Sequence, residues 1–179
     1  MFSIQGSQLA HISILIQLRL SNLPSTINWE AEGSKNELSY ILHLRCVRLK
    51  IAVYLPVLHF VIHQPPGDPC WASGLPLAWK CIDFCETLIR HSDLENDWRH
   101  GGSWFKLRSV FSSSLLILAA VRCGKIELST DWMGLVQKAL RILEVRSDDA
   151  TDVRWMSVIL HRLVKDMIGK SGHLASSLV

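Results

Sequence analysis

The sequence predicts an all-α fold, an irregular bundle of five to six helices. Apolar residues recur with the 3.6-residue period of a helix in successive segments, and no segment alternates apolar and polar residues between turns as a strand would. The 179 residues, 49% hydrophobic and 20% charged, can build a core, which excludes intrinsic disorder. Five cysteines, an odd number in apolar context, indicate reduced thiols and an intracellular protein.

An apolar stripe predicts the first helix, and prolines predict where it ends and where the second helix begins. Residues 1–36 are expected to be a poorly defined segment and linker, with the helical domain beginning at residue 37. The stripe of the first helix is Leu38, Leu42, Cys46, Leu49 and Val53. Pro56 should kink or end this helix because it lacks a backbone donor, leaving 57–63 as a short second segment. A break is expected over 64–74, with Pro76 in the first turn of the next helix.

The second and third helices are predicted to pack through one apolar face each. The inward residues of the second are Ala78, Cys81, Ile82, Cys85, Leu88 and Ile89. Glu86 and Arg90 should pair at i, i+4 on its opposite, solvent face. The third helix is predicted to be central and buried, with the stripe Trp104, Leu107, Phe111, Leu115 and Leu118. Its other faces carry small residues, which should let neighbouring helices approach closely; these are Ser112, Ser113, Ser114, Ala119 and Ala120.

The last two helices follow Gly124. Ser129 or Thr130 is expected to cap the fourth, whose inward residues are Trp132, Leu135, Val136, Ala139, Leu140 and Leu143. The fifth is expected to start near Asp148 or Asp149 and to turn inward Met156, Ile159, Leu160, Leu163, Val164 and Met167. Gly169 and Gly172 should close it, so that the helical domain spans 37–168 and a flexible tail spans 169–179.

Charge and hydropathy patterns bear on partners. The net charge of +3 is not gathered into one block, since residues 1–63 carry five basic and three acidic groups, so no direct contact with nucleic acid is expected. The longest uncharged apolar stretches, 51–62 and 109–121, are shorter than the roughly 20 residues that cross a bilayer. We therefore expect no transmembrane helix and no membrane partner.

One acidic string allows an enzymatic interpretation. Residues 148–152 read D-D-A-T-D, the D-D-x-x-D pattern with which prenyl synthases and terpene cyclases hold magnesium and pyrophosphate, because hard cations prefer oxygen ligands. A small helical magnesium- and pyrophosphate-binding enzyme using Asp148, Asp149 and Asp152 is thus the alternative hypothesis. Those enzymes need a second acidic motif, which this sequence lacks, so the favoured interpretation is an acidic helix start.

Other candidate groups favour structural roles. Cys81 and Cys85 lie at i, i+4 on an apolar helix face, where core packing is favoured over a metal site. Ser157 and His161 are one turn apart without an orienting acid in the sequence pattern, which favours a polar pair at a helix surface. We therefore predict no catalytic residue, no metal ligand and no cofactor, and a protein that is not an enzyme.

A small-molecule pocket is the remaining candidate. Residues 98–104 read W-R-H-G-G-S-W, and two tryptophans around a glycine pair can line a site for a small apolar effector. The candidate residues are Trp98, His100, Trp104 and Arg108. The alternative is that the two glycines only supply a tight turn and that Trp104 makes the first core contact of its helix.

The order of several strings resembles the regulatory middle-homology domain of fungal zinc-cluster transcription factors. Residues 44–51, L-R-C-V-R-L-K-I, run toward Pro56 like the L-R-x-R-x-x-x-L-x-I-L-x-x-R-P segment of that family. A cysteine-bearing helix (81–90), a His/Arg/Gly loop and W-F-K-L-R (104–108) opening an apolar helix follow in order. The strings K-A-L-R-I-L (138–143), D-V-R-W-M (152–156) and I-L-H-R-L (159–163) are similar to the end of the domain.

The chain also departs from that family. It carries no six-cysteine zinc cluster, Leu55 stands where an Arg usually precedes the proline, and much of the amino-terminal half of the domain has no counterpart. The resemblance implies the C-terminal part of a regulatory domain, nuclear and shortened, without its own DNA reader. It implies contacts with a coactivator or a dimer partner and sensing of a small apolar effector. A third possibility is that the chain is a poorly folded truncation, which exposed apolar faces along 42–60 would support, because missing amino-terminal helices would have covered them.

Overall fold

The computed structural model describes residues 37–65, 68–92, 103–126, 128, 131–148 and 150–176. Within these ranges the chain is all-α, as predicted, with no strand. The five helices are α1 (Glu37–His63), α2 (Pro69–Arg90), α3 (Ser103–Cys123), α4 (Trp132–Glu144) and α5 (Thr151–Ser176). The chain divides into two compact units, Met1–Phe84 and Cys85–Val179, and the division falls within α2.

In the first unit, α1 and the amino-terminal part of α2 form an antiparallel helical hairpin. The Trp71 indole donates to the Val61 carbonyl at 3.2 Å, and further along α2 the Cys81 thiol lies 3.8 Å from the Ile51 carbonyl oxygen. A methyl group on Gly74 would lie 3.1 Å from Val61 Cγ2, closer than ordinary carbon contacts. Glycine therefore allows the two helices to approach at this position.

The beginning of α2 corrects the predicted break over 64–74. The helix starts at Pro69, and Pro76 lies inside it instead of in its first turn. Asp68 provides the start signal, because its carboxylate accepts from the Cys70 backbone N–H at 2.7 Å and its carbonyl accepts from the Trp71 N–H at 2.9 Å. Proline has no backbone N–H, but it fits the first helical position because an N–H there would have no acceptor within the helix.

Two further predictions about α1 and α2 are corrected. Pro56 does not end α1, which runs through it to His63 as one helix, so 57–63 is not a separate segment. Glu86 pairs with Arg90 as predicted, with Arg90 Nη2 at 3.3 Å from Glu86 Oε2. The Glu86 carboxylate is nevertheless buried, although it was expected on the solvent face. The half-exposed guanidinium of Arg90 lies beside it and supplies the charged partner that a buried carboxylate needs.

In the second unit, α3, α4 and α5 each pack against the other two. Five of the six residues predicted to face inward from α4 are buried, namely Leu135, Val136, Ala139, Leu140 and Leu143. Trp132 is only partly covered, and Ile142, which was not predicted, is buried. Its N-cap is Asp131, whose side chain accepts from the Gly134 N–H at 2.9 Å, and not Ser129 or Thr130, which lie outside the described residues. Aspartate caps at least as well as serine or threonine, and it directly precedes the first helical residue.

The buried face of α3 differs from the predicted stripe. Leu107 and Leu118 are buried, but Trp104 is exposed and Phe111 and Leu115 are only partly covered. The buried positions include Ser113 and Ser114, which were assigned to the other faces. Serine can enter this face because its hydroxyl bonds back into its own helix, as Ser114 Oγ does to the Val110 carbonyl at 2.8 Å.

α5 also differs from its prediction at both ends and in its inward face. It begins at Thr151, and it includes Gly169 and Gly172, which were expected to close it. Glycine lowers helix propensity by about 1 kcal/mol but does not block the backbone hydrogen bonds, so it need not end a helix. The buried stripe is Val153, Ser157, Leu160 and Val164. Ile159, predicted to point inward, is 44% exposed.

Two described helices are long and apolar enough to cross a membrane, over Leu42–His63 and Trp104–Cys123. These spans include a few charged residues, which is why the count of uncharged stretches did not identify them. Length and composition are the only grounds for such a role, and the core helices of globular proteins meet the same test. The absence of a transmembrane helix therefore stays a prediction.

Candidate functional site

The first turns of α3 present an exposed aromatic cluster. Trp104 and Phe105 pack edge to face, with ring centroids 5.3 Å apart, and they are 37% and 54% exposed. The Arg108 guanidinium, one turn further along, lies 5.2 Å from the centre of the Trp104 ring. This is a cation–π contact, in which the ring face attracts the positive charge. We call Trp104, Phe105 and Arg108 the α3 aromatic cluster.

The α3 aromatic cluster contains half of the predicted effector pocket. The structure brings Trp104 and Arg108 together, whereas Trp98 and His100 lie outside the described residues. Trp104 is 37% exposed, so it is not a fully buried core contact, and the glycine pair of the alternative lies outside the described residues. Phe105 was missed, although its position next to Trp104 on a polar-flanked helix start could have identified it.

The chemistry of the cluster favours recognition of flat apolar groups. Exposed aromatic rings bury large apolar areas when a ligand or partner covers them, and rings prefer edge-to-face or offset contacts. The guanidinium of Arg108 adds a positive charge and hydrogen-bond donors beside the rings. The cluster therefore presents apolar ring faces with a positive charge beside them, which a flat apolar ligand with an anionic or acceptor group would complement.

The predicted acidic motif does not assemble into a metal site in the described part of the chain. The Asp148 side chain is 91% exposed and lies 3.7 Å from Arg154 Nη2, and Asp152 is exposed in the first turn of α5. Asp149 lies outside the described residues. No group of three or more His, Cys, Asp or Glu side chains among the described residues could hold a metal ion. Asp148 and Asp152 thus occupy an acidic, solvent-exposed helix start.

The cysteines are free thiols in two kinds of environment. Cys81 and Cys85 are fully buried, in agreement with the packing role predicted for them. Cys70, in the first turn of α2, is only partly covered. Desolvation raises the pKa of the Cys70 thiol, and the negative charge and hydrogen bond of Asp68 raise this pKa further. At neutral pH Cys70 is therefore held in the less nucleophilic thiol form.

Ser157 and His161 do not form the surface pair that was predicted. Ser157 is buried in the inward stripe of α5, while His161 is exposed. The His161 ring does find an acid, because its Nε2 lies 2.6 Å from Glu144 Oε1 at the end of α4. This contact joins two helices, and a buried serine hydroxyl cannot reach a substrate. The arrangement therefore supports a structural role for the histidine.

Comparison with known proteins adds no relatives: no protein-family model matches the chain, and neither the curated proteins nor the solved structures contain a significant match.

Proposed function

We propose that this chain is a regulatory domain of a fungal transcription factor that acts in the nucleus through contacts with other proteins. The proposal rests on the order along the chain of the sequence motifs that resemble the middle-homology domain. The Arg-rich string lies in α1 ahead of Pro56, the cysteine string lies in α2, and W-F-K-L-R occupies the first turns of α3. The last strings fall in α4 and α5.

The exposed apolar side chains support a role in binding. Leu42 and Leu49 on α1 are 42% and 57% exposed, and their exposure is also what the truncation hypothesis expects of this segment. The α3 aromatic cluster is a second exposed apolar site. Contiguous exposed apolar patches are typical of surfaces that a partner or a ligand covers, and Leu42 and Leu49 lie two turns apart on one side of α1. Under this proposal α1 contacts protein partners such as a coactivator, and the α3 aromatic cluster takes the small effector.

A tethering experiment in a fungal host tests the regulatory role. The whole chain is fused to an unrelated DNA-binding domain, and transcription of a reporter gene carrying that domain's site is measured. We expect several-fold activation or repression relative to the DNA-binding domain alone. Leu49→Ser should reduce the effect because it removes an exposed apolar contact. An unchanged reporter, with the fusion present in the nucleus at normal levels, would contradict the proposal.

Effector binding is tested separately with a flat anionic fluorophore, anilinonaphthalene sulfonate, on the purified chain. We expect the dye to bind with enhanced fluorescence and Trp104→Ala to weaken this binding. Trp79→Ala is the matched control, because Trp79 is a similarly exposed tryptophan on α2, 42% against 37%. Equal effects of the two substitutions would show that the dye does not recognise the α3 aromatic cluster.

A further inference from the structure

The outer face of α5 carries a contiguous set of exposed side chains. Trp155, Val158 and Ile159 are 60%, 50% and 44% exposed, and Asp152 and Arg162 flank them on the same side of the helix. Neither flanking charge forms an ion pair with any residue in the part of the chain that the structure describes. We call these five residues the α5 outer face. Single exposed apolar residues are ordinary, but three adjoining ones form a patch.

The spacing of the α5 outer face is that of a coiled-coil seam. Asp152, Trp155, Ile159 and Arg162 follow one another at intervals of three, four and three residues, which are the a and d positions of a heptad. Val158 lies beside this seam. The set spans about 15 Å along α5 at 1.5 Å per residue. Trp155 and Ile159 are the apolar residues in the middle of this seam, and the charged Asp152 and Arg162 occupy its two end positions.

The seam is complementary to itself in one orientation. Its residues are placed symmetrically about position 157, with Trp155 and Ile159 near the centre and the acid and the base at the two ends. When two copies run antiparallel, Asp152 faces the partner's Arg162 at both ends, and Trp155 faces the partner's Ile159. In a parallel pair equal charges would face each other at each end, which is unfavourable.

We propose that two copies of this chain pair through their α5 outer faces as an antiparallel, two-fold symmetric dimer. The charge pattern favours a second copy of this chain as the partner. A two-fold axis that brings Asp152 opposite the partner's Arg162 at one end of the seam produces the same contact at the other end. The seam covers only about three helical turns, so the dimer is weak and dissociates on dilution. This inference stands on the geometry of α5 and does not require that the chain regulates transcription.

Charge reversal tests the pairing. Asp152→Arg and Arg162→Asp each place like charges opposite each other at both ends of the seam, and each should weaken dimerisation about tenfold. The two single variants mixed together should restore association, because each supplies the charges that the other needs. The double variant, with both substitutions in one chain, should also dimerise. Sedimentation velocity over a concentration series measures all four cases.

The design separates specific pairing from misfolding and from net charge. Variants that associate when mixed must be folded, so a folding defect cannot imitate the result. Arg154→Asp is the matched control, because it changes the charge of the same helix about a third of a turn away from the seam and should leave the dimer unchanged. A wild-type chain that stays monomeric up to about 1 mM overturns the proposal. So does a dimer that the single reversals do not weaken.

Discussion

Leu160→Ala tests the inward register of α5, on which the packing of the second unit depends. The Leu160 side chain is fully buried. Truncation to alanine removes three carbons, which costs about 2.4 kcal/mol at 0.8 kcal/mol per carbon, and the cavity left behind adds to this. We expect a loss of about 3 kcal/mol in the free energy of unfolding. In a unit of this size that lowers the midpoint by roughly 10 °C or more, measured by circular dichroism at 222 nm.

Ile159→Ala is the matched control for this prediction. The two residues are neighbours in sequence, and both substitutions remove three carbons. Ile159 is 44% exposed, so we expect its truncation to cost less than about 1 kcal/mol. Equal losses for the two variants would refute the register of α5. A larger loss at Ile159 than at Leu160 would mean that the outer face is the packed one, and the dimer seam would then be wrong as well.

Three further predictions concern the helix starts. Asp131→Ala should lower the free energy of unfolding in urea by about 1 kcal/mol, because the Gly134 N–H loses its acceptor, whereas Asp131→Asn should preserve it. Asp68→Asn removes a charge that raises the pKa of the Cys70 thiol, so more thiolate forms at pH 8 and iodoacetamide should alkylate Cys70 faster; an unchanged rate would contradict this. Magnesium with pyrophosphate should leave the thermal midpoint unchanged both in the wild type and in Asp152→Ala. If the wild type did bind this ligand, a concentration of a hundred times Kd would raise its free energy of unfolding by about 2.7 kcal/mol, and the midpoint would rise visibly.

Helix positions could be predicted well where one face is apolar and the opposite face polar. α4 is the clearest case, since its apolar period identifies Leu135, Val136 and Leu143 as buried, and the structure agrees. Its capping residue was missed because Ser129, Thr130 and Asp131 are all good caps and adjoin one another. The choice among them depends on which side chain reaches a free N–H, here that of Gly134.

The inward face of α3 could not be predicted in the same way. Apolar residues occur around most of the helix, so the 3.6-residue period selects no single side. Serine hydroxyls that bond to their own helix make the pattern harder to interpret: Ser109 Oγ donates to the Phe105 carbonyl at 2.6 Å, and Ser109 is buried. A sequence pattern counts such a residue as polar, although its hydrogen-bonding capacity is met before it packs.

The candidate site could be predicted only where it depends on local spacing. Trp104 and Arg108 are four residues apart, so one helical turn brings the guanidinium over the ring. The fit of Gly74 against Val61 joins two helices, and the sequence contains no comparable local signal for it. The same holds for the contact between His161 and Glu144, which links α4 to α5.

α5 illustrates why an apolar count cannot by itself define an inward face. Val153, Leu160 and Val164 form one stripe, and Trp155 and Ile159 form another on the opposite side. The face predicted from the sequence took Leu160 and Val164 from the first stripe and Ile159 from the second, so it mixed residues that pack against the chain's own core with one that does not. The first stripe is covered by α3 and α4. The second is bounded by charges of opposite sign at symmetric positions, which is a pattern for a partner helix and not for a core. Two apolar stripes on one helix therefore call for two packing partners, and the part of the chain that the structure describes supplies only the first.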